Sequence, residues 1–423
     1  MRKLKVLALA VDDNRLTGHA YDSIQKMNPL LYETKLITLR SYYNDSETAF
    51  FTKKIQEIPY KIRRRISSYL RYGTNKIVRG EEIHSYHGYL SYVISAKQIL
   101  KKYGDAPDLI ILFWYDGFVD AKIIHDLHKL TNATIAFDFV DEFALAGGCH
   151  YPCGCEGYKA FCENCPAVSF PKDLAKEQLA LRYRYLKDIP KITLGASSFS
   201  CQNSRQSTLF KDTKTILGLN IPDIPIMITK SEARKQFNIQ EDAFVIMFGS
   251  SFLAEKRKGY GYLVEALKLM EKQMTERPIV VFIPGDKKKV SKEEDTSFIK
   301  YHYPGRLDFE TLCKAFIASD IFVNPTIADS GPMMVNYAIA CGTPVVSFNM
   351  GVAMNLVING KTGYIAQMKD ARSLSEGILE FYQMNPEKLE EYRFNCKALM
   401  EEWRNKPSRW DLLYQHITND LLK

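Results

Sequence analysis

Residues 320–348 constrain what this chain can fold into more than any other segment does. Their sequence, DIFVNPTIADSGPMMVNYAIACGTPVVSF, holds two short apolar runs, 321–323 and 345–348, which predict two buried strands. Between these runs lie a loop with a single acidic residue and a mostly apolar stretch long enough for a short helix. A strand, a loop, a helix and a second strand in this order are typical of a Rossmann-like domain.

The two ends of the predicted helix carry recognisable signals. Asp329 or Ser330 can cap its N-terminus, and Pro332 suits its first turn. Gly342 suits the left-handed residue that follows a helix, and Pro344 prevents the helix from continuing. The first amide groups of such a helix lack intrahelical partners and lie at the positive end of its dipole. The segment therefore predicts a binding site for an anion such as phosphate.

Length and composition favour a two-domain globular protein. A chain of 423 residues exceeds one ordinary core and predicts two domains of roughly 200 residues each. It has no apolar run of about 20 residues, so we expect no membrane-spanning helix. The N-terminal apolar run is short and ends in Asp12 and Asp13, which favours a buried first strand over a signal peptide. We therefore expect a cytoplasmic location.

Positive charge is concentrated in residues 53–79, which carry nine lysines and arginines against one acid, Glu57. Apolar residues recur there at helical spacing, at Ile55, Ile58, Ile62, Ile66 and Tyr69. One interpretation is a peripheral contact with the inner face of an anionic membrane. The other is a solvated amphipathic helix whose apolar stripe packs on the N-terminal domain. No nucleic-acid-binding module accompanies the charges, so we expect no nucleic-acid partner.

Strand-like and helical segments alternate along both halves of the chain, which predicts two parallel sheets flanked by helices. The predicted strands are residues 6–11, 109–113, 134–139 and 192–194 in the first half and 244–248, 279–283, 321–323 and 345–348 in the second. The predicted helices are residues 118–130, 260–274 and 309–318. The sequence IPDIP at 221–225 interrupts both periods and predicts the domain boundary. The tail 386–423 has a helical pattern with an expected packing face of Trp410, Leu412, Leu413 and Ile417.

The run 319–348 resembles the nucleotide-sugar signature of family 4 glycosyltransferases, which are retaining enzymes of the GT-B fold. The resemblance implies an α/β protein with two Rossmann-like, doubly wound domains that face a central cleft. Residues 1–220 would form the acceptor domain, residues 221–400 the nucleotide-sugar domain, and residues 401–423 a helix that returns to the first domain. It also implies transfer of a hexose from a nucleotide diphosphate donor to a glycan or polyprenyl-linked acceptor of bacterial surface polysaccharide synthesis, without a catalytic metal.

The same resemblance implies a set of donor-site residues. FGSSFLAEKRKGYGYL at 248–263 is similar to the family's diphosphate loop, which makes Arg257 and Lys258 the candidates that stabilise the departing diphosphate. Where the family pattern has two glutamates eight positions apart, this chain has Asp329, expected near the donor sugar, and Tyr337. The further implied donor-binding residues are Gly18, Gly249, Gly285, Arg306, Ser330, Gly331, Pro332 and Gly351.

DFVDEFALAGGCHY at 138–151 resembles a branch of that family in which a His-Asp pair precedes Gly-Gly-Cys-His-Tyr. Here Val140 replaces the histidine, and Asp141 remains as a candidate catalytic residue. Four cysteines within 147–166 match the branch's positions: Cys149, Cys155, Cys162 and Cys165. Thiolates at this density are typical of a tetrahedral structural zinc site, for which Cys153 and His150 are alternative ligands. Reduced buried cysteines and disulfides are the other two interpretations.

A second function class is consistent with the departures from the family pattern. Val140, Tyr337 and Asn355 replace residues that the family uses around the donor. They favour a GT-B protein that binds a nucleotide sugar, or assists an active transferase, without turnover. Retention of Arg257 and Lys258 favours the enzyme, because two adjacent cations repel each other unless an anion offsets them.

Overall fold

The computed structural model describes residues 2–13, 19–43, 45–62, 66, 76–77, 84–86, 94–252, 255–273, 277–286, 296 and 298–421. The chain divides into two compact units. The first comprises residues 1–196, 200–218 and 407–423, and the second comprises 197–199 and 219–406. The change of unit at 218–219 lies close to the IPDIP segment, and the returning tail begins at 407 rather than 401.

The first unit is built on a parallel sheet with the strand order β11-β10-β7-β6-β1-β2-β3. Its strands are β1 Leu4–Asp12, β2 Tyr32–Arg40, β3 Ala49–Phe51, β6 Leu109–Leu112, β7 Thr134–Phe139, β10 Lys191–Gly195 and β11 Lys214–Leu217. Two antiparallel pairs accompany it: β4 Lys76–Ile77 with β9 Val168–Phe170, and β5 His84–Tyr86 with β8 Cys149–Tyr151. The helices are α1 His19–Gln25, α2 Ala96–Tyr103, α3 Ala121–Thr131, α4 Leu174–Leu186 and α5 Ser198–Gln206.

The second unit contains another parallel sheet, with the order β13-β14-β12-β16-β17-β18 and with β15 also paired to β14. Its strands are β12 Phe244–Met247, β13 Ser250–Phe252, β14 Ile279–Asp286, β15 Ile299–Gly305, β16 Ile321–Asn324, β17 Val345–Phe348 and β18 Gly363–Ala366. The helices are α6 Lys230–Gln236, α7 Tyr260–Met270, α8 Phe309–Ala318, α9 Met333–Ala340, α10 Ala353–Leu356, α11 Ala371–Tyr382 and α12 Pro386–Arg404. A last helix, α13 Arg409–Leu421, belongs to the first unit.

Continuous apolar runs explain why both sheets are parallel and covered by helices. All four residues of β6, of β12 and of β17 are buried, as expected for strands with helices on both faces. The predicted α/β fold with two Rossmann-like units is therefore confirmed. The sequence analysis missed β2, whose charged residues Glu33 and Lys35 interrupt the apolar run, and also β11, β15 and β18.

Helix α13 packs on the first unit, with Trp410, Leu413 and Ile417 buried. The prediction that Leu412 shares this face is wrong, because 36% of Leu412 is exposed. Adjacent residues of a helix point in different directions, so Leu412 and Leu413 do not share one narrow face. Arg409 also anchors the helix, with its guanidinium 3.0 Å from the Asp138 carboxylate.

Candidate functional site

Each sheet has one position where the strand order reverses, and ligands of doubly wound proteins bind at the carboxyl ends of the strands there. In the second unit the reversal lies between β12 and β16, since β14 pairs with the other side of β12. In the first unit it lies between β1 and β6, since β2 pairs with the other side of β1. The loop that follows β16 holds Asp329, and the loop that follows β6 holds Trp114 and Asp116.

The basic loop of the second unit is held against the loop that follows β16. Lys256–Lys258 form one turn of 3-10 helix, which ends at Gly259 with a φ of +78°. A Cβ atom on Gly259 would lie 1.8 Å from the Pro325 carbonyl oxygen, so only glycine permits this approach. The Ile327 amide then donates a 2.8 Å hydrogen bond to the Arg257 carbonyl. The backbone thus brings the two predicted donor loops together.

Asp329 lies between the two predicted phosphate-binding cations. Its carboxylate is 3.0 Å from Arg257 Nη1 and 2.5 Å from Lys258 Nζ, and Arg257 also pairs with Glu255 at 2.7 Å. Asp329 and Arg257 are both buried. Burial alone raises the pKa of Asp329, but the charges of Lys258 and Arg257 outweigh burial and hold that pKa below its usual value. The carboxylate is therefore ionised and offsets the two cations.

Helix α9 begins differently from the prediction. Pro332 is the N-cap residue, and no side chain caps the helix within the described residues. Asp329 does not cap the helix, because its carboxylate pairs with Arg257 and Lys258. Its Oδ1 also accepts a 3.2 Å hydrogen bond from the Gly331 amide. The buried Ser330 hydroxyl has no hydrogen-bond partner among the residues that the structure describes. The start of α9 therefore retains uncapped amide groups beside Ser330 and Gly331.

Two predicted glycines, Gly351 and Gly249, pack against this helix start, and a third, Gly285, lies in β14. Gly351 has a φ of +57°, and a Cβ atom there would lie 2.7 Å from Pro332 Cδ. Gly249 packs so closely that a Cβ atom would lie 3.0 Å from both Met334 Cε and Pro284 Cγ. Gly285 follows Pro284 in β14, opposite Ser250 of β13. The structure therefore gathers the glycine turns of separate segments around the first turn of α9.

The other predicted donor-binding residues are Arg306, Tyr337 and Gly18. Arg306 is exposed and directly follows β15. Tyr337 is partly buried on α9, with its ring centroid 5.2 Å from that of Phe309. Gly18 lies outside the described residues.

Asn355 has a structural role that its sequence position does not reveal. Its Oδ1 accepts a 2.8 Å hydrogen bond from the Ser198 amide, and its Nδ2 donates to Ser198 Oγ at 2.7 Å. The Ser197 hydroxyl in turn donates to the Ser330 carbonyl at 2.5 Å. Asn355 thus helps to tie residues 197–199 to the loop before α9 within the second unit.

A charged cluster lies at the reversal point of the first unit, and the sequence did not predict that its members meet. His150 of β8 is buried, with Nδ1 hydrogen-bonded to the Asp141 carboxylate and Nε2 3.3 Å from the Asp116 carboxylate. Burial lowers the pKa of His150, but the hydrogen bonds with Asp116 and Asp141 outweigh burial and raise it to about 9. One imidazolium therefore lies between two carboxylates at neutral pH. Two of its members had separate sequence signals: Asp141 was a candidate catalytic residue and His150 an alternative zinc ligand.

Aromatic rings enclose this cluster. The Phe143 ring stacks on the imidazole of His150 at 4.9 Å, and the Trp114 ring lies 5.3 Å from it. Trp114 lies two residues after the end of β6, and its backbone carbonyl accepts a 2.8 Å hydrogen bond from the Val11 amide of β1. It is 48% exposed. The site therefore combines a solvent-facing indole with a buried charged network.

The four predicted zinc ligands line one small cavity. The Cys149 thiol donates a hydrogen bond to Cys165, which lowers the pKa of Cys165 to about 6, and burial raises the pKa of Cys162 to about 11. All nine cysteines are free thiols in this structure. Within the described part of the chain, no three His, Cys, Asp or Glu side chains are arranged to hold a metal ion. Zinc at these four cysteines stays a prediction, which elemental analysis of the purified protein tests.

Residues 229–398 match the family model of the group 1 glycosyl transferases, so the second unit contains a glycosyltransferase group 1 domain. An uncharacterized glycosyltransferase of Methanocaldococcus jannaschii, MJ1069, is 22% identical over 215 residues. That alignment covers 48% of this chain and 55% of the relative, so the chain spans about half the length of this curated protein.

Solved structures resemble the whole chain. Sucrose-phosphate synthase of Thermosynechococcus elongatus aligns over 99% of both chains with a TM-score of 0.62 and 14% identity. Anabaena Alr3699/HepE, solved in complex with UDP-glucose, aligns over 99% of both chains with a TM-score of 0.57 and 15% identity. At these identities the likeness establishes the fold alone, and that fold is the GT-B class.

Proposed function

We propose that this protein is a glycosyltransferase that moves a sugar from a nucleotide diphosphate donor to a glycan or polyprenyl-linked acceptor, with retention at the anomeric carbon. The observation that carries the proposal is the pairing of Arg257 and Lys258 with Asp329 beside an uncapped helix start, inside a group 1 domain. As the resemblance to family 4 implies, the acceptor would belong to surface polysaccharide synthesis in a bacterial cytoplasm.

In this proposal the diphosphate binds to Arg257, Lys258 and the first amide groups of α9. Two cations and a helix N-terminus are suited to the negative charge that the diphosphate gains as the sugar leaves. Asp329 would turn from the cations towards the donor sugar, and the buried Ser330 hydroxyl is a further hydrogen-bonding group beside it. The presence of UDP-glucose in the complex of the Anabaena protein supports testing UDP sugars first.

The acceptor sugar would bind at the reversal point of the first unit. Ligand sites combine apolar and aromatic surface with a few placed polar groups, and an exposed indole offers the first of these to the apolar face of a pyranose. Asp116 and Asp141 would accept hydrogen bonds from sugar hydroxyls, while His150 holds both carboxylates in place.

The proposed reaction is a substitution at the anomeric carbon. The bond from that carbon to the diphosphate breaks, and the diphosphate leaves with the electron pair. The acceptor oxygen forms its new bond on the face from which the diphosphate departs, and its proton passes to the departing phosphate oxygen. Arg257 and Lys258 would stabilise the developing charge, so the proposal assigns no step to a metal ion.

A non-catalytic nucleotide-sugar-binding protein is the alternative. Tyr337 favours it, because a phenol accepts hydrogen bonds from ribose hydroxyls less well than a carboxylate does. The ionised cluster around Asp329 favours the enzyme, because it keeps two cations at the site where a leaving diphosphate would form.

Release of nucleoside diphosphate from a panel of UDP, GDP and ADP sugars tests the proposal. We expect turnover with at least one donor, and we expect Lys258→Ala to lower kcat/KM for that donor by about 100-fold. Lys268→Ala is the matched control, because Lys268 is an exposed lysine on α7 of the same unit, and it should leave kcat/KM unchanged. Measurable nucleotide binding without turnover of any donor would instead establish the binding protein.

A further inference from the structure

Four isoleucines near the start of the basic segment face solvent. Lys54–Glu57 form a turn of 3-10 helix, and residues 58–62 and 66 are helical. The exposed fractions are 70% for Ile55, 50% for Ile58, 53% for Ile62 and 54% for Ile66. Ile55, Ile58 and Ile62 are spaced by three and four residues in the described turns, which places them along one face, and Ile66 continues this spacing in the sequence. Exposed isoleucines at every turn of one face form an apolar stripe, which scattered single surface residues would not produce.

The opposite side of this segment is anchored to the first unit. The Tyr60 ring packs on Phe51 with a centroid distance of 4.8 Å. Glu57 is only 4% exposed and pairs with Arg40 at 2.8 Å and with Lys61 at 2.9 Å. The segment therefore turns its tyrosine and its acid inwards and its isoleucines outwards. It packs on the first unit through Tyr60 and Glu57, and not through its four exposed isoleucines.

Charge complementarity indicates what covers the stripe. Residues 53–79 contain nine lysines and arginines, three of them consecutive at 63–65, and Glu57 is the only acid in that range. Glu57 is buried and paired, so it places no negative charge beside the isoleucines. Residues 63–65, 67–75 and 78–79 lie outside the described residues, and only their sequence enters this count. Apolar side chains with surrounding cations suit the interface of an anionic bilayer.

We propose that the exposed isoleucines at 55, 58, 62 and 66 dock this protein on an anionic lipid surface. These side chains enter the boundary between headgroups and acyl chains, and Lys61, whose side chain is exposed, lies at the level of the lipid phosphates. A second copy of the chain is a poorer occupant, because a symmetric contact would bring two strongly basic segments together. Docking is peripheral, since no helix of the described residues is long and apolar enough to cross a membrane. The proposal does not depend on the transfer reaction.

Co-sedimentation of the full-length protein with vesicles tests this surface. We expect binding to vesicles of phosphatidylcholine mixed with phosphatidylglycerol, little binding to phosphatidylcholine alone, and weaker binding as salt is raised. The double variant Ile58→Gln/Ile62→Gln should lower the partition coefficient by tenfold or more, because two apolar side chains no longer enter the bilayer. Its thermal unfolding midpoint and donor turnover without vesicles should match those of the wild type, since both side chains are exposed.

Leu30→Gln is the matched control, because Leu30 is 74% exposed in the same unit but lies outside the stripe, and it should bind vesicles like the wild type. Equal binding to neutral and anionic vesicles, or undiminished binding of the double variant, would overturn the proposal. So would a stable dimer that becomes monomeric in the double variant, which would assign the stripe to a second copy. Binding to an RNA oligonucleotide but to neither vesicle would assign the charges to nucleic acid.

Discussion

The two units place opposite charge patterns at the same position of the same fold. In the first unit, one imidazolium lies between two carboxylates, Asp116 and Asp141. In the second, one carboxylate, that of Asp329, lies between two cations. Both clusters follow strands at the reversal of strand order, where doubly wound proteins bind ligands. The fold thus provides the location, and the local side chains decide which ligand suits it.

The difference in charge predicts a difference in ligand. Cations beside an uncapped helix start are suited to phosphate, and a nucleotide would compete with Asp329 for them. Carboxylates beside an exposed indole are suited to neutral hydroxyl groups, because a phosphate would be repelled by two negative charges. His150 and Asp329 are the central members of the two clusters. Variants that remove a central residue should therefore affect a different step from variants that remove one of the residues around it.

Removal of His150 should have the largest effect on stability. His150→Ala leaves the buried Asp141 and the partly buried Asp116 without their shared cation, and breaking a buried ion pair in this way costs on the order of 3 to 5 kcal/mol. We expect a strongly lowered midpoint of thermal unfolding, measured by calorimetry. His125→Ala is the control, because His125 is only partly buried beside Asp126 and its loss should change the midpoint little. An unchanged midpoint for His150→Ala would show that the cluster is not charged as described.

The sequence named more members of the second cluster than of the first. The resemblance to family 4 named Arg257, Lys258 and Asp329 as donor-site residues, but it did not predict the ion pairs that join them. The Glu142 amide donates a 3.0 Å hydrogen bond to the His150 carbonyl, and the His150 side chain then contacts Asp116, which lies 34 residues away in sequence, so no local spacing reports the contact. The outward direction of the isoleucine stripe was equally unpredictable, because helical periodicity identifies an apolar face but not what that face contacts.

Trp114 should affect acceptor binding without affecting the donor. Trp114→Ala removes the exposed ring at the first reversal point, and we expect the acceptor KM to rise about tenfold, in line with the energy of an aromatic contact. Trp114→Phe should restore most of the loss, since a ring remains. Release of nucleoside diphosphate by donor hydrolysis should be unchanged in both variants, and a parallel loss there would indicate general damage instead. Tyr42→Ala, at an exposed aromatic residue of the same unit, is the control.

Asp329 should show the smallest effect on binding, with a sign opposite to that of Lys258. In Asp329→Ala, Lys258 and Arg257 lose the carboxylate that they share, although Arg257 keeps its pair with Glu255, so UDP competes with one internal anion fewer. We expect the affinity for UDP to rise roughly threefold to tenfold at low salt, with the gain reduced at high salt. Sugar transfer should fall in the same variant, because the group proposed to face the donor sugar is gone. Calorimetric titration of UDP into Asp329→Ala, Asp329→Asn and Lys258→Ala separates the two effects. If UDP bound more weakly to Asp329→Ala than to the wild type, the carboxylate would be holding the cations in position for phosphate, and the second cluster would resemble the first in needing its central member.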